Sequence, residues 1–459
     1  MKKPILFSFT AISVALVLLC QCGKIDDNSE NSFKIPVEYY TLKNGLKVVL
    51  SQDKTAPTIA VAVYYNIGFR IEPKDRTGFA HLFEHMMFQG SENLGKMEFI
   101  KLVQSNGGIL NGSTRFDFTN FFEIMPSHKL ETALWAEADR MKGLKITQEN
   151  LVNQQGVVKN EVKVNVLNQP YGGFPWLDMP QYANENWHNA HNFYGDLKDL
   201  DSAKLEDVDK FFKIYYAPNN AVLAIVGDFE SQDAKKWVEQ YFGSLPSSQL
   251  PAQPDLSEPR QEAEKRFTKE DKLAEKPAIA MAYKMPERNS TEYYAMGLID
   301  QLLVQGHSSK FYLSLVQDKG YSGNISGGIN YLGNMFNYKG PMLWMTDLIY
   351  DDNVSPDSII AVVDKDIKDL QDNVSQADID LAIVKLRSSL YDDLGDYYGV
   401  GKADLLASFA LFDNNPERIN SLESEFKKIT PEIIKATAKE FLRSSNRTIL
   451  IVEPKANLQ

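Results

Sequence analysis

The sequence predicts an α+β fold of two homologous domains, and three observations support this. The chain has 459 residues, more than one hydrophobic core usually organises. Short apolar runs of strand length alternate with longer runs of helical spacing, which is typical of mixed sheet and helix structure. The helix, turn and strand pattern of 204–230 returns at 428–454, which indicates an internal duplication.

The boundary between the two domains is marked by proline. Four prolines, at positions 246, 251, 254 and 259, fall within one polar stretch. Regular elements do not tolerate this density of proline, so we predict an interdomain linker at 246–275. It separates a domain at 37–245 from a homologous domain at 276–459.

The composition excludes one class of partner. With 43% hydrophobic and 24% charged residues, it is that of an ordinary globular protein. The formal net charge is -12, so the chain lacks the dense Lys and Arg surface that phosphate backbones require. We therefore expect no nucleic acid partner.

The N-terminus predicts export. Two lysines precede an apolar run at 5–19, which is too short for a comfortable membrane span and typical of a signal peptide at 1–22. Both cysteines of the chain, Cys20 and Cys22, end this run, so the domains have no disulfides or thiolate ligands. The site resembles the L-x-x-C lipobox of bacterial lipoproteins, which implies a lipid on Cys22, with Cys20 as the rival acceptor.

A polar tether at 23–36 follows this signal. We expect a protein that is lipid-anchored at the periplasmic or outer-membrane surface of a bacterium. The alternative is an ordinary cleaved signal peptide and a soluble periplasmic protein.

The first domain begins with strand and helix signals. Asn44-Gly45 lies between two apolar-rich runs and predicts a hairpin. A buried strand is expected at 58–68, and Thr77 is the predicted cap of the helix that follows. The glycines near Asn111 predict a turn, after which residues 115–124 alternate as in a strand with one buried face. Helical spacing then returns at 130–141 and 148–168, the second of these with Glu161 near its middle.

The stretch HLFEHMMFQG, residues 81–90, carries a metal-binding pattern. On a helix, His81 and His85 are one turn apart and can reach the same ion. Glu84 lies on the same face and can accept a proton from a water held there. H-x-x-E-H is the signature of the inverted zinc peptidases, although a satisfied histidine pair without metal is the alternative. Zinc with two histidines needs a third ligand, for which spacing alone leaves His128, His188, His191 and several carboxylates open.

The second half contains a copy of this stretch without the ligands. GLIDQLLVQG, residues 297–306, aligns without a gap to 81–90. Gly297, Asp300 and Gln301 then stand where the first copy has His81, Glu84 and His85. Packing alone would preserve the same residues in both copies, so ligands in one copy indicate chemistry there.

Five stretches resemble, in this order, the pitrilysin or insulinase family of zinc peptidases: HLFEHMMFQG, GGILNGSTRFDFTNFF, ADRM, VVKNE and YYAPNNAVLAIVGDF. The likeness is to the branch with the mitochondrial processing peptidase beta subunit and its bacterial relatives. It implies two domains of mostly antiparallel sheet packed with helices, enclosing a chamber. It also implies one zinc per chain, with Glu161 of VVKNE as the third ligand and Glu84 as the base.

The resemblance assigns further residues and shows two departures. Relatives hold a peptide substrate on an edge strand after the turn, which implies substrate binding by Asn111, Gly112 and Ser113. The family usually has Glu seven residues before the third ligand, where this chain has Gln154, a group that can still hydrogen-bond near the metal. Active relatives often place an Arg and a Tyr in the second half to contact the substrate backbone. This chain has Val316 at the Arg position, and Tyr321 is too close to be the expected Tyr without a gap.

These features predict a zinc metalloendopeptidase that cleaves peptides or unfolded polypeptides. The missing Arg leaves a second hypothesis, in which the chain is the zinc-bearing subunit of an obligate heterodimer with a homologous partner. A third, a non-catalytic scaffold of the same fold, is disfavoured because a scaffold has no need of three metal ligands.

Overall fold

Two β-sheets, one of six strands and one of five, form the framework. A computed structural model describes residues 34–394 and 400–455, and from Ile35 onward these form one compact unit. The strands are β1 Glu38–Thr41, β2 Lys47–Gln52, β3 Thr58–Tyr65, β4 Ile109–Thr114, β5 Thr119–Pro126, β6 Ala221–Gly227, β7 Lys265–Asp271, β8 Ala278–Lys284, β9 Ser326–Ile329, β10 Leu343–Ile349 and β11 Arg447–Pro454.

Fifteen α-helices lie in the described part of the chain. They are α1 Phe79–Met86, α2 Glu98–Ser105, α3 Leu130–Lys142, α4 Gln148–Val162, α5 Asp178–Ala183, α6 Trp187–Ala190, α7 Leu197–Ser202, α8 Leu205–Tyr215, α9 Ser231–Phe242, α10 Thr291–Leu303, α11 Pro356–Asn373, α12 Gln376–Leu394, α13 Val400–Asp413, α14 Leu422–Lys427 and α15 Pro431–Phe441. None of them is long and apolar enough to cross a membrane.

The second sheet repeats the arrangement of five of the six strands in the first. The first has the order β1-β2-β6-β3-β5-β4 and the second the order β7-β11-β8-β10-β9. In each sheet one pair is parallel, β2 with β6 and β7 with β11, and the other neighbours are antiparallel. The predicted α+β fold with two related, mostly antiparallel halves is confirmed.

Helices of each half cover one face of the sheet of that half. In addition, one helix from each half packs on the sheet of the other half. The apolar residues of α1, α3, α8 and α9 cover one face of the first sheet. The opposite face packs against α13, whose Ala403, Ala407 and Ala410 join one cluster with Ala62 and Val222. In return, α5 lies on the second sheet, where Met179 packs with residues of β8 and β10.

A buried ion pair joins the two halves beside the first sheet. Arg70 Nη1 lies 3.2 Å from Asp117 Oδ2, and both side chains are almost fully buried. The same carboxylate accepts the backbone N–H groups of Lys339 and Gly340 at 2.8 and 3.2 Å. Arg70 also donates to the carbonyl of Pro341. Side chains of the first half therefore form hydrogen bonds with buried backbone groups in a loop of the second half.

Several sequence predictions match the structure and two near β5 are wrong. The Asn44-Gly45 hairpin joins β1 to β2, with Gly45 at a φ of 90°. Asn111, however, lies inside β4 and not in a turn, and the chain turns at 115–118 instead. The strand β5 is covered on both faces, since Glu123 on the presumed solvent side is fully buried beside Glu137 of α3.

The linker is shorter than predicted. Residues 246–264 contain no helix or strand, but β7 begins at Lys265 and lies inside the predicted range 246–275. Its alternating exposed and half-buried residues mark it as an edge strand, which the polar composition had concealed. The predicted signal at 1–22 and nearly all of the tether lie outside the described residues.

Candidate metal centre and catalytic site

The helix α1 begins under a buried carboxylate. Its N-cap is Gly78, which has a φ of 82° and no side chain to cap the helix. Glu72 takes that role, since its two carboxylate oxygens accept from Gly78 N at 2.9 Å and Ala80 N at 2.6 Å. The prediction that Thr77 caps the helix is wrong, because its hydroxyl bonds Asp199 instead.

Aromatic packing fixes the rotation of α1. Phe79 and Phe83 are fully buried and contact Phe211 of α8, with ring centroids 5.5 and 4.9 Å apart. Phe83 also stacks on Tyr216 at 5.1 Å. With these rings locked in the core, His81, Glu84 and His85 share the remaining face of the helix.

Three side chains with ligand atoms converge at that face. The Nε2 atoms of His81 and His85 are 3.3 Å apart. Glu161 Oε1 lies 3.5 Å from His81 Nε2, and Glu161 Oε2 lies 3.2 Å from His85 Nε2. Zinc ligands at about 2.0–2.2 Å in tetrahedral arrangement are separated by roughly 3.3–3.5 Å. The observed separations therefore fit a zinc ion bound between these three side chains.

Glu161 reaches this point because α4 lies against α1. The helix is capped by Thr147, whose side chain accepts from Asn150 N, and it buries Leu151, Val158 and Val162. Hydrogen bonds from His81 and then His85 hold the pKa of the Glu161 carboxyl well below its usual range. Glu161 is therefore a carboxylate, the form a metal requires.

The carboxylate of Glu84, the predicted base, is held by a hydrogen bond from a threonine hydroxyl. Thr114 Oγ1 donates to Glu84 Oε2 at 2.7 Å. Thr114 is the last residue of β4, so the base is tied to the end of that strand. Glu84 is not among the three residues whose ligand atoms converge, which leaves its carboxylate for proton transfer.

The strand β4 is the edge of the first sheet. Asn111, Gly112 and Ser113 lie in it and pair with Phe122, Phe121 and Asn120 of β5, which leaves the other side of the strand without a partner strand in this sheet. A side chain at Gly112 would meet the Phe121 ring at 3.0 Å, so glycine is needed for close pairing. The three predicted substrate-binding residues thus lie on an open strand edge that leads to Glu84.

Other predicted residues have contacts of their own. Gln154 is buried on α4, and its amide donates to Asn153 Oδ1 at 2.8 Å. His188 Nδ1 bonds the carbonyl oxygen of Arg70, and His191 stacks on Trp187. Within the described residues, only His81, His85 and Glu161 form a group able to hold a metal.

Sequence reasoning missed three residues of this site: Glu72, Thr114 and Tyr194. The Tyr194 ring lies 5.4 Å from the His81 ring and is packed on another side by Trp176 at 5.5 Å. Glu72 and Tyr194 come from loops whose approach to α1 no local pattern encodes. Thr114 could have been suspected, since it directly follows the predicted substrate residues Asn111, Gly112 and Ser113.

The second half has a counterpart of the site that lacks the metal-binding residues. A cavity of about 180 Å³ is lined by Gly297, Asp300, Gln301 and Ser389, among others. Ser389 follows Ser375, at the start of α12, by the same number of residues as Glu161 follows Thr147, the cap of α4. Ser389 therefore stands at the position that corresponds to Glu161. The predicted absence of metal ligands from this copy therefore extends to the third ligand position.

Asp300 occupies the position of the base in that copy but has a different role. It is buried and accepts from Trp344 Nε1 at 2.8 Å. Burial raises its pKa to about 6. The carboxylate therefore serves packing of the second core.

Comparisons with known proteins agree with this architecture. A family model described as Insulinase (Peptidase family M16) matches residues 47–189, and one described as Peptidase M16 inactive domain matches residues 202–386. The chain is 25% identical over 430 residues to Zinc protease PqqE of Helicobacter pylori, a match that covers 91% of this chain and 93% of that protein.

Two further matches extend the comparison. A crystal structure of a protease from Helicobacter pylori has a TM-score of 0.83 and 25% sequence identity, covering 92% of this chain and 100% of that chain. Probable mitochondrial-processing peptidase subunit beta of Arabidopsis thaliana is 25% identical over 208 residues, 45% of this chain and 39% of that protein. With both halves matched by models of one family and the fold shared throughout, the chain belongs to the insulinase, or M16, family of peptidases.

Proposed function

We propose that the protein is a zinc-dependent endopeptidase. The observation that carries the proposal is the convergence of His81, His85 and Glu161 at tetrahedral separations, with Glu84 beside them. Nothing in the packing of α1 needs two imidazoles and a carboxylate in contact, so the cost of assembling them indicates a ligand. The names of relatives such as Zinc protease PqqE support zinc as that ligand.

His81, His85 and Glu161 would hold the metal. A zinc ion there supplies Lewis acidity, which lowers the pKa of a bound water and polarises a carbonyl oxygen. The carboxylate of Glu161 also offsets part of the ion's charge, and its half-exposed position leaves the substrate side open.

Glu84 carries the proton transfers. It takes a proton from the attacking water as the water oxygen bonds to the carbonyl carbon and the carbonyl electron pair moves to oxygen. When the pair returns and the C–N bond breaks, Glu84 gives this proton to the leaving nitrogen. Thr114 keeps the carboxylate oriented through both steps by its hydrogen bond to Oε2.

The edge of β4 would bind the substrate. An extended peptide can add to the sheet beside Asn111, Gly112 and Ser113 by backbone hydrogen bonds. Because Thr114 ends the same strand and bonds Glu84, a paired peptide is led towards the base. Backbone pairing recognises extended chain and not particular side chains, which favours peptides or unfolded polypeptides as substrates.

Cleavage of a peptide library tests this function. We expect cleavage by the zinc-loaded protein, loss of cleavage with chelator, and its return when zinc is restored. Glu84→Gln should remove turnover while zinc remains bound, and Glu149→Gln, an exposed acid on α4, should change neither. Turnover that persists in Glu84→Gln or in chelator contradicts the proposal.

A second candidate is that this chain is the zinc-bearing subunit of a heterodimer. In the described structure Val316 packs against the core of the second half, where the resemblance expects an Arg. The Arabidopsis relative is itself named a subunit. Cleavage only after addition of a homologous partner would support this candidate, whereas cleavage by the purified chain alone would exclude it.

We also propose that the protein is exported and lipid-anchored through Cys22. The support is the apolar run at 5–19 and the position of both cysteines at its end. Metabolic labelling with a clickable fatty acid should mark the protein, and Cys22→Ala should abolish the label. Label that remains in Cys22→Ala but is lost in Cys20→Ala would reassign the acceptor.

A further inference from the structure

Tyr194 is a phenol beside the candidate metal centre for which the reaction so far has no use. Its ring centroid lies 5.4 Å from that of His81, at an interplanar angle of 59°. The side chain is half-buried. Within the described residues, Tyr194 forms a hydrogen bond through its backbone N–H, to Asn192 Oδ1, and none through its hydroxyl. The site therefore contains a donor that is not used in the folded protein.

The backbone around Tyr194 is fixed to the start of α1. A side chain at Gly78 would approach the Tyr194 carbonyl oxygen to 2.8 Å. Gly195 has a φ of 79° and comes so close to Gly78 that a Cβ there would lie 2.4 Å from its nitrogen. Asp196 N also donates to Thr77 Oγ1 at 2.8 Å. The phenol is thus positioned relative to the helix that carries the base and two ligands.

The ring is held from a second direction by Trp176. The two rings meet edge to face with centroids 5.5 Å apart. With His81 on one side and Trp176 on another, the Tyr194 ring has little freedom to turn away. A donor that is already oriented costs no reorganisation when charge develops next to it.

The Tyr194 hydroxyl lies close to both carboxylates of the candidate site. The negative charges of Glu161 and Glu84 both act on it, so it is within electrostatic range of the third ligand and of the predicted base. These are the groups between which the scissile carbonyl must sit.

We propose that the Tyr194 hydroxyl donates a hydrogen bond to the oxyanion formed when water adds to the scissile carbonyl, which makes Tyr194 a catalytic residue of the proposed peptidase. The inference rests on the proposed function. In the first step the carbonyl electron pair moves to oxygen and Tyr194 bonds this oxygen without giving up its proton. In the second step the pair returns, the C–N bond breaks, and the hydrogen bond is released.

The test compares Tyr194→Phe with Tyr312→Phe. Tyr312 is a matched control, because it is also half-buried against a histidine, His307, but lies in the second half. For Tyr194→Phe we expect kcat to fall about 100-fold, KM to stay within about twofold, and zinc content to be unchanged. Tyr312→Phe should match the wild type in all three.

A binding measurement separates this role from a structural one. A phosphinic peptide, whose tetrahedral anion mimics the oxyanion, should bind Tyr194→Phe about 100-fold more weakly than wild type. The matching uncleaved peptide should bind Glu84→Gln and the Glu84→Gln, Tyr194→Phe double variant equally. Equal phosphinic affinity in wild type and Tyr194→Phe overturns the inference, as does an equal loss of affinity for both ligands.

Failure of the proposed function has its own signature. The wild type would then show no preference for the phosphinic peptide over the plain peptide, whichever residue stands at 194. That result would overturn both the peptidase assignment and the role of Tyr194. A wild-type preference that survives in Tyr194→Phe would overturn the role of Tyr194 alone.

Discussion

The hydroxyl of Thr114 donates to the carboxylate of Glu84 across 2.7 Å, which joins the last residue of an edge strand to the predicted base. The residue that ends the proposed substrate strand therefore also orients the predicted base. If both proposals hold, one strand, β4, positions the substrate and the base.

Removal of this hydroxyl should weaken catalysis without loss of metal. For Thr114→Val we expect kcat to fall about 10- to 100-fold, because a hydrogen bond to a charged group is worth about 1.5–3 kcal/mol. Zinc content should not change. Thr114→Ser keeps the hydroxyl and should retain most of the activity in the same peptide assay; equal loss in both variants would point to packing and not to the hydrogen bond.

Loss of the third ligand should release the metal. For Glu161→Gln we expect zinc affinity to fall by more than roughly 100-fold, since loss of an outer partner alone costs 10–100-fold. Metal analysis after dialysis against a zinc buffer measures this. Glu149→Gln, on the exposed side of the same helix, should keep a full complement. Full zinc occupancy in Glu161→Gln would assign the third ligand elsewhere.

Glu72 should make stability depend on pH. Burial raises its pKa in the folded protein to about 8, above the 4.5 of an unperturbed Glu. Its contribution to stability is therefore present below pH 4.5 and is lost as the pH rises through 8. Between pH 5 and pH 9 the wild type should lose up to about 4 kcal/mol relative to Glu72→Gln, whose amide does not titrate and whose single oxygen can accept one of the two backbone bonds from Gly78 and Ala80. Urea unfolding at both pH values measures this, and parallel losses in the two proteins would contradict it.

Asp117 should contribute more to the free energy of unfolding than an exposed Asp does. Asp117→Asn leaves the buried Arg70 without its countercharge, so we expect the free energy of unfolding to fall by about 3 kcal/mol. Asp75→Asn removes an ion pair whose carboxylate is 80% exposed and should cost less than about 0.5 kcal/mol. Urea unfolding followed by tryptophan fluorescence measures both. Similar midpoints for the two variants would show that the junction does not depend on this pair.

The sequence predicts the candidate site residues of α1 better than the residues that reach them from other parts of the chain. His81, Glu84 and His85 are set by helical spacing, which is local, and the fold of the two halves follows from repeated local patterns. Glu161 needed the family resemblance, because 76 residues and several elements separate it from His85. Distances of this kind are set by packing and not by periodicity.

The errors have a common physical origin. Proximity to the helix predicts Thr77 as the cap, whereas Glu72 reaches across the loop to fill the same place. Alternation along the strand predicts that Glu123 faces solvent, but a sheet covered on both faces buries it against α3. In both cases the tertiary arrangement supplied a partner that a local pattern cannot reveal.

The exchange of α5 and α13 between the halves bears on how this chain can acquire its structure. The first sheet is complete in sequence once β6 has been synthesised, but the helix that covers its second face, α13, ends almost two hundred residues later at Asp413. Until then an apolar surface that includes Ala62 and Val222 stays open to water or to other chains. Neither half is a finished folding unit, so the synthesis of α13 sets when the half with the candidate metal centre becomes stable, and urea or heat should unfold both halves in one cooperative transition.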